Sequence, residues 1–247
     1  VVFAAGQVYA DLWRDRTKTA VVGYPRFEQY LSVFDTKENI KKKYELSLDK
    51  KIIFFTSFQP MIYKYRKEKK KHGWLNLVGE HEEIMQALET LSKAGEFQVV
   101  VKIHPQSQQT YKKNKEKREM FHDIEGTLEK YYIKKHKNIV VIKDDRSTGK
   151  TIKEIMKASD IFVGFGGSTT VCESSIAKIP AVNAMFGKMV GAGLFPYEEE
   201  FTTAHNGAEL IEIIRENKIK LAENTKFVEN HLYKVDGKFC ERLCGEI

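Results

Sequence analysis

The stretch "DIFVGFGGSTTVCESSIAKIP", residues 160–180, carries the pattern that decides the fold. Residues 160–166, "DIFVGFG", contain four apolar residues and predict a short strand that is buried on both faces. The glycines that follow allow the backbone to turn sharply. Ser168, Thr169 and Thr170 then stand at the predicted start of a helix, where hydroxyl residues are favoured. A strand, a glycine turn and a helix in this order are the repeating unit of an α/β fold.

Similar apolar runs along the chain predict five further strands. Each run is short, rich in β-branched residues and bounded by turn residues. The runs are residues 18–25, 51–58, 97–105, 138–145 and 179–185. Helical spacing occurs at Ile84, Leu88 and Leu91, at Ile152, Ile155 and Met156, and at Leu210, Ile213 and Ile214. The alternation predicts a doubly wound parallel sheet, a Rossmann-like α/β fold.

Length and pattern divide the chain into three predicted parts. A chain of 247 residues can hold one or two domains. We expect residues 46–222 to form one Rossmann-like domain. Residues 1–45 are predicted to be a leading segment, either the end of a missing N-terminal domain or an interdomain linker, and residues 223–247 a C-terminal helical segment. Because the chain begins at Val1 without a methionine, we expect it to be a fragment.

The composition is that of a globular protein, with 42% apolar and 30% charged residues. The sequence has no run of about 18 apolar residues, the length that would span a bilayer, and its start lacks the features of a signal peptide. Three cysteines, Cys172, Cys240 and Cys244, do not have the spacing of a zinc site. We therefore expect a cytoplasmic protein with free thiols.

The predicted sheet indicates where a ligand would bind. In open parallel sheets, ligands bind beyond the carboxyl ends of the strands. The free amides and the dipole at a helix start favour an anion, and Ser168, Thr169 and Thr170 can add hydrogen bonds to it. Gly166 and Gly167 allow close approach of the backbone. A phosphate group is the expected ligand, although hydroxyl residues at a helix start are also common as simple caps.

Three further residues are candidates for the same site. Glu173 follows Thr169 by one helical turn, so its carboxylate can share the ligand-facing side and bind a ribose diol. Lys102 and His104 end a predicted strand just before a proline. His104 can donate to a phosphate or transfer a proton, whereas a lone histidine at a strand end can equally be structural.

Together these motifs resemble the C-terminal, donor-binding half of GT-B glycosyltransferases. The resemblance is carried by residues 21–31, 50–60, 99–107, 158–183 and 232–247, in that order. It is strongest toward bacterial surface-polysaccharide enzymes, including the CDP-glycerol glycerophosphotransferase (teichoic acid) and capsule polysaccharide groups. The resemblance implies a domain that binds a nucleotide-activated sugar or polyol for transfer to a glycan or lipid-linked acceptor. It also implies that the acceptor domain is absent from this chain.

The resemblance implies roles for individual residues. Lys102 and His104 would lie near the donor diphosphate, with His104 as the candidate catalytic residue. Residues 167–170 would lie against the phosphates and Glu173 against the ribose. A further motif matches at Asp236, Gly237, Glu241 and Arg242, with no role assigned. No Asp-x-Asp motif ends a predicted strand, so we expect neither a metal nor another cofactor.

The sequence also leaves other functions open. UDP-N-acetylglucosamine 2-epimerases share the fold and a glycine-rich donor loop. Residues 144–151, "DDRSTGKT", imitate a P-loop, but Asp144 occupies the position of its first glycine. The net charge of +7 and the lysine-rich runs indicate an anionic partner, unless they form only a solvated surface. Peripheral contact with the inner face of an anionic membrane fits the resemblance, and nucleic acid is not expected, although the sequence alone does not distinguish lipid, glycan and nucleic acid.

Overall fold

The computed structural model describes residues 2–11, 13–33, 35–57, 61–66, 71–102, 138–142, 150–165, 168–187, 200–221 and 227–246. The strands of this part are β1 (Val2–Ala4), β2 (Thr19–Val21), β3 (Lys51–Thr56), β4 (Met61–Arg66), β5 (Lys71–Asn76), β6 (Phe97–Lys102), β7 (Ile139–Ile142), β8 (Ile161–Phe165), β9 (Ala181–Ala184) and β10 (Thr202–Ala204). The α-helices are α1 (Gln7–Asp11), α2 (Pro25–Glu28), α3 (Lys37–Lys43), α4 (Val78–Lys93), α5 (Lys150–Ala158), α6 (Thr169–Ala177), α7 (Gly207–Arg215) and α8 (Phe239–Gly245). A 3₁₀ helix (Gln29–Ser32) and a π-helix (Val228–Leu232) complete the described elements. None of these helices is long and apolar enough to cross a membrane.

Six parallel strands form the central sheet, in the order β10-β9-β8-β3-β6-β7. The chain runs outward from β3 through β6 to β7 and then returns to the other side of β3 at β8. This reversal is the topological switch point of a doubly wound fold, beyond which ligands bind at the carboxyl ends of the strands. The predicted Rossmann-like fold is confirmed.

Helices cover both faces of the sheet because its strands are apolar on both sides. On one face, α4 and α7 pack over a core that includes Ile53 and Val99. On the other face, α5 and α6 pack over a core that includes Phe54, Val100 and Phe162. The helices predicted from apolar spacing are α4, α5 and α7, and each buries the predicted apolar side chains in these cores.

Some strands lie outside the central sheet or were not predicted from the apolar pattern. The run at residues 18–25 forms β2, which pairs with β1 in a separate two-stranded sheet and is not a strand of the central sheet. The sixth central strand is β10, which is only three residues long and includes two threonines. The lysine-rich run at residues 63–72 contributes to the antiparallel hairpin β4–β5, which is inserted between β3 and α4.

The C-terminal residues pack against the start of the chain. Gly6 lies so close to the carbonyl of Asn230 that a Cβ atom on Gly6 would overlap it. Arg242 in α8 donates from Nε to the carbonyl of Val22 at 2.9 Å and lies 3.1 Å from the carboxylate of Glu28. These contacts give Arg242 a structural role that its sequence motif did not indicate. The predicted boundaries of the three parts of the chain stay predictions.

Candidate functional site

The start of α6 lies at the switch point, directly after β8, and carries a chain of hydroxyl groups. Ser168 caps the helix, because its Oγ accepts a hydrogen bond from the amide of Thr170 at 3.4 Å. The two side-chain hydroxyls lie 2.6 Å apart. The Thr170 hydroxyl is also 3.2 Å from that of Thr56, the last residue of β3. These hydroxyl groups therefore connect the start of α6 to the end of β3, the strand next to β8.

Lys102 lies at the same edge of the sheet. It ends β6 and pairs in register with Thr56 of the neighbouring strand. Its side chain is only 3% exposed, and its carbonyl accepts a hydrogen bond from the amide of Ser57 at 2.9 Å. The structure thus brings Lys102 to the edge that carries Ser168 and Thr170, as expected from their positions at strand ends.

Several predicted site residues lie outside the described part of the chain. His104, Gly166 and Gly167 are among them, as is the side chain of Thr169. Their roles stay predictions. Residues 144–149, which include the aspartate pair, are also outside. Within the described residues no three His, Cys, Asp or Glu side chains are grouped as a metal site requires, and the expectation of a metal-free site stays untested.

Glu173, one turn into α6, has no exposed surface. The hydroxyl of Tyr30 donates to its Oε2 at 2.6 Å. The guanidinium of Arg26 lies 2.8 Å from its Oε1, in an ion pair without the geometry of a hydrogen bond. Burial raises the pKa of Glu173, although Arg26, Tyr30 and Lys153 oppose that rise. The carboxylate predicted to bind a ribose is therefore engaged by two side chains of the leading segment.

Lys153 of α5 completes this buried cluster. Its Nζ lies 6.0 Å from the ring centre of Tyr30, and burial lowers the pKa of its ammonium, an effect that Glu173 opposes. Arg26 and Tyr30 were not predicted as partners of Glu173. The sequence did contain a signal for this pairing. A carboxylate that is buried on a helix requires a cation nearby. Residues 21–31, which contain Arg26 and Tyr30, are one of the stretches that carry the family resemblance.

A cavity of about 480 Å³ lies between the 3₁₀ helix and α5, a volume in the range of ligand pockets. Its lining residues are Gln29, Ser32, Val33, Asp35, Lys150, Lys153 and Glu154. Glu154 binds the ammonium of Lys43 at 2.7 Å and the hydroxyl of Tyr44 at 2.6 Å. Lys150, the lysine of the P-loop-like stretch, lies 3.6 Å from the same carboxylate. An acidic neighbour at this distance disfavours the binding of nucleotide phosphates there.

The central sheet, its switch point and the hydroxyl-capped helix that follows β8 form a doubly wound Rossmann-like fold, which fits one half of the GT-B fold. The same fold occurs in the wall teichoic acid polymerase TagF, at 13% identity and a TM-score of 0.60, over 99% of this chain and 56% of that one. No protein-family model and no curated protein matches the sequence.

Two other solved structures are similar to the chain. UDP-GlcNAc 2-epimerase from Neisseria meningitidis, bound to UDP-GlcNAc, matches at 14% identity and a TM-score of 0.55, over 99% of this chain and 60% of that one. A glycosyltransferase from Rickettsia africae matches at 15% identity and a TM-score of 0.51, over 98% and 61%. At these identities the likeness shows the fold alone. The chain spans little more than half the length of these proteins.

Proposed function

We propose that this chain is the donor-binding half of a glycosyltransferase or glycerophosphotransferase. It would bind a nucleotide-activated sugar or polyol for transfer to a cell-surface polysaccharide or a teichoic-acid-like acceptor. One observation carries the proposal: the hydroxyls of Ser168 and Thr170 at the start of α6 are joined to Thr56 at the switch point, with Lys102 on the next strand. A helix start at a switch point favours phosphate.

In this proposal the donor phosphates lie against the amides and hydroxyls of residues 168–170. Gly166 and Gly167 allow that approach, and Lys102 and His104 supply positive charge. The acceptor hydroxyl attacks the transferred group, and the bond to the nucleotide phosphate breaks. The helix start and the cationic side chains stabilise the departing phosphate, so no metal or other cofactor is invoked. His104 is the candidate catalytic residue on this chain.

Glu173 is proposed to bind the ribose diol of the donor. Its Oε2 already accepts a hydrogen bond from Tyr30, and its Oε1 faces Arg26. A ribose hydroxyl would therefore replace the Tyr30 hydroxyl at Oε2. The proposal thus makes Tyr30 a competitor of the ribose for the same carboxylate.

The acceptor hydroxyl needs a general base, which we assign to an acceptor-binding domain outside this chain. The match covers 56% of the TagF chain and 60% of the epimerase chain, and the remaining length of those proteins supports a further domain. We therefore propose that transferase activity requires this further domain, whereas donor binding does not.

We propose a cytoplasmic location with contact to an anionic membrane through the hairpin β4–β5. Residues 61–76 contain six lysines and arginines against one glutamate. Along the hairpin, Tyr63 pairs with Trp74 and Arg66 pairs with Lys71. Aromatic and basic residues together are typical of membrane-surface contacts. The chain is expected to sediment with phosphatidylglycerol vesicles but not with phosphatidylcholine vesicles, and equal sedimentation would contradict the contact.

A UDP-GlcNAc 2-epimerase is the second candidate, because such an enzyme has the same fold over 99% of this chain. An epimerase converts its nucleotide sugar without an acceptor, whereas a transferase half alone leaves the donor intact. Incubation with UDP-GlcNAc, followed by chromatography of the sugar products, detects epimerisation. A 2-epimer in the product would establish the epimerase.

Calorimetric titration with CMP, CDP, UDP, GDP, ADP and ATP tests the proposal. We expect selective binding of a pyrimidine nucleoside diphosphate, weakened by His104→Ala and by Ser168→Ala. Binding of ATP alone, lost in Lys150→Ala and unaffected by the other two variants, would replace the proposal with a P-loop function.

A further inference from the structure

The sheet carries a row of polar positions at its carboxyl end, on the face covered by α5 and α6. Thr203 pairs with Asn183, and Asn183 pairs with Gly164. On β3, the residue after the Phe55–Val163 pair is Thr56, which pairs with Lys102 on β6. In a parallel sheet, residues in register share a face. Two residues earlier on each strand, the same face of the sheet is apolar, at Ala181, Phe162, Phe54 and Val100.

Asn183 differs from the other members of this row in its hydrogen bonding. Its side chain has no exposed surface, and neither its Nδ2 nor its Oδ1 has a hydrogen-bond partner among the described residues. Thr56, by comparison, contacts the hydroxyl of Thr170. Buried amide groups are nearly always paired, so an unpaired asparagine at a ligand-binding edge indicates a partner that the described residues do not supply.

The charges along the row indicate which part of a donor would bind Asn183. Lys102 stands toward one end of the row, where phosphates are favoured, and Asn183 and Thr203 at the other end are neutral. An asparagine amide offers two donor hydrogens and one acceptor oxygen. It therefore matches a neutral group with a donor beside an acceptor, as in a diol or the edge of a pyrimidine base.

We infer that Asn183 binds a neutral, hydrogen-bonding part of the donor, with the donor lying along the row and its phosphates toward Lys102. This inference rests on the proposed donor-binding function. Gly164, beside Asn183, is covered by the side chain of Val171, which would overlap a Cβ atom at that position. Asn183 has no exposed surface, so the groups that cover its amide must move for the contact to form.

Asn183→Leu tests the inference, because it removes the amide while keeping a similar volume. Thermal unfolding of the free protein and calorimetric dissociation constants for CDP, UDP, CDP-glycerol, UDP-GlcNAc and inorganic pyrophosphate are measured. We expect an unchanged or higher Tm, since an unpaired amide is removed. Affinity for the preferred donor should fall about tenfold, as expected for one lost hydrogen bond, while that for pyrophosphate stays the same.

Comparison of the ligands shows whether the neutral group belongs to the nucleoside or to the transferred sugar or polyol. Weaker binding of CDP or UDP assigns Asn183 to the nucleoside, whereas weaker binding of the intact donors alone assigns it to the transferred sugar or polyol. Asn183→Ala, which cannot overpack the site, replaces Asn183→Leu if the latter does not fold. Ser175→Ala is the matched control, because the Ser175 hydroxyl is also buried without a partner but lies on α6, outside the row.

Unchanged affinity for every ligand in the Asn183 variants, with binding by the wild type intact, would overturn this inference and leave the donor-binding function standing. An equal loss in Ser175→Ala would also overturn it, because the effect would then arise from the packing of α6. If the wild type binds none of the ligands, the proposed function fails and the inference fails with it.

Discussion

The guanidinium of Arg26 lies 2.8 Å from Oε1 of Glu173, a carboxylate with no exposed surface. The two residues join the leading segment to the helix that begins at the candidate site. Arg26→Met should lower the free energy of unfolding by about 3 kcal/mol, because it leaves a buried charge without its cation. Urea denaturation measures the change.

Arg14→Met is the control for this prediction, because Arg14 also pairs with an acid, Asp11, but on the surface. Exposed pairs contribute little, so its unfolding free energy should change by less than about 1 kcal/mol. Equal effects of the two variants would mean that the Arg26–Glu173 pair does not hold the two segments together.

Tyr30→Phe should separate the structural role of Glu173 from its proposed ribose role. The variant loses a 2.6 Å hydrogen bond to the carboxylate, which should cost about 1.5 kcal/mol of stability. If ribose competes with Tyr30 for Oε2, the affinity for CDP or UDP should rise in the variant. The 2′,3′-dideoxy form of the same nucleotide lacks the diol and should bind unchanged. An unchanged or lower affinity for the ribonucleotide argues against ribose binding by Glu173.

Ser168→Ala should weaken both α6 and nucleotide binding. Loss of an N-cap costs about 1 kcal/mol, and the anion site loses a hydroxyl at the same time. Asn206→Ala is the matched control, because Asn206 caps α7 through a 2.9 Å bond to the amide of Glu209. Denaturation should show similar losses of stability in the two variants, whereas calorimetry should show weaker nucleotide binding only in Ser168→Ala. Equal nucleotide affinity in the two variants would show that the start of α6 does not bind the nucleotide.

Glu154 should make the stability of the fold depend on pH. Burial alone would raise its pKa, but hydrogen bonds from Lys43 and Tyr44 and the nearby cations outweigh burial and lower it from 4.5. A lowered carboxyl pKa in the folded state gives stability that is complete above the unfolded value and is lost as pH falls through the folded value. Denaturation between pH 7 and 3 should therefore show a steeper loss of stability in the wild type than in Glu154→Gln. Identical slopes would show that Glu154 contributes none of the pH dependence.

Much of the fold could be predicted because the central strands are continuous apolar runs. β3, β6 and β8 are buried on both faces, and a short continuous apolar run is typical of a strand covered on both sides. The three-residue β10 has too little apolar sequence to give such a signal. The hairpin β4–β5 was not predicted because its sequence is rich in lysine and arginine and gives no continuous apolar run.

The candidate site could be predicted only in part, because sequence patterns indicate where strands end but not which distant side chains meet. Ser168, Thr170 and Lys102 follow or end strands, and parallel topology brings strand ends to one edge. Arg26 reaches Glu173 from a distant part of the sequence, through tertiary packing that local patterns do not encode. The unpaired amide of Asn183 is equally invisible in sequence, since it depends on what surrounds a buried strand.

Backbone amide chemical shifts, measured while CDP or UDP is added to isotopically labelled protein, test the position of the donor site most directly. If the start of α6 holds the donor phosphates, the largest changes occur at Ser168, Thr169 and Thr170, with further changes at Lys102. Largest changes at Lys150 and Thr151, or none on adding either nucleotide, would contradict the assignment of the donor site to the β8–α6 turn.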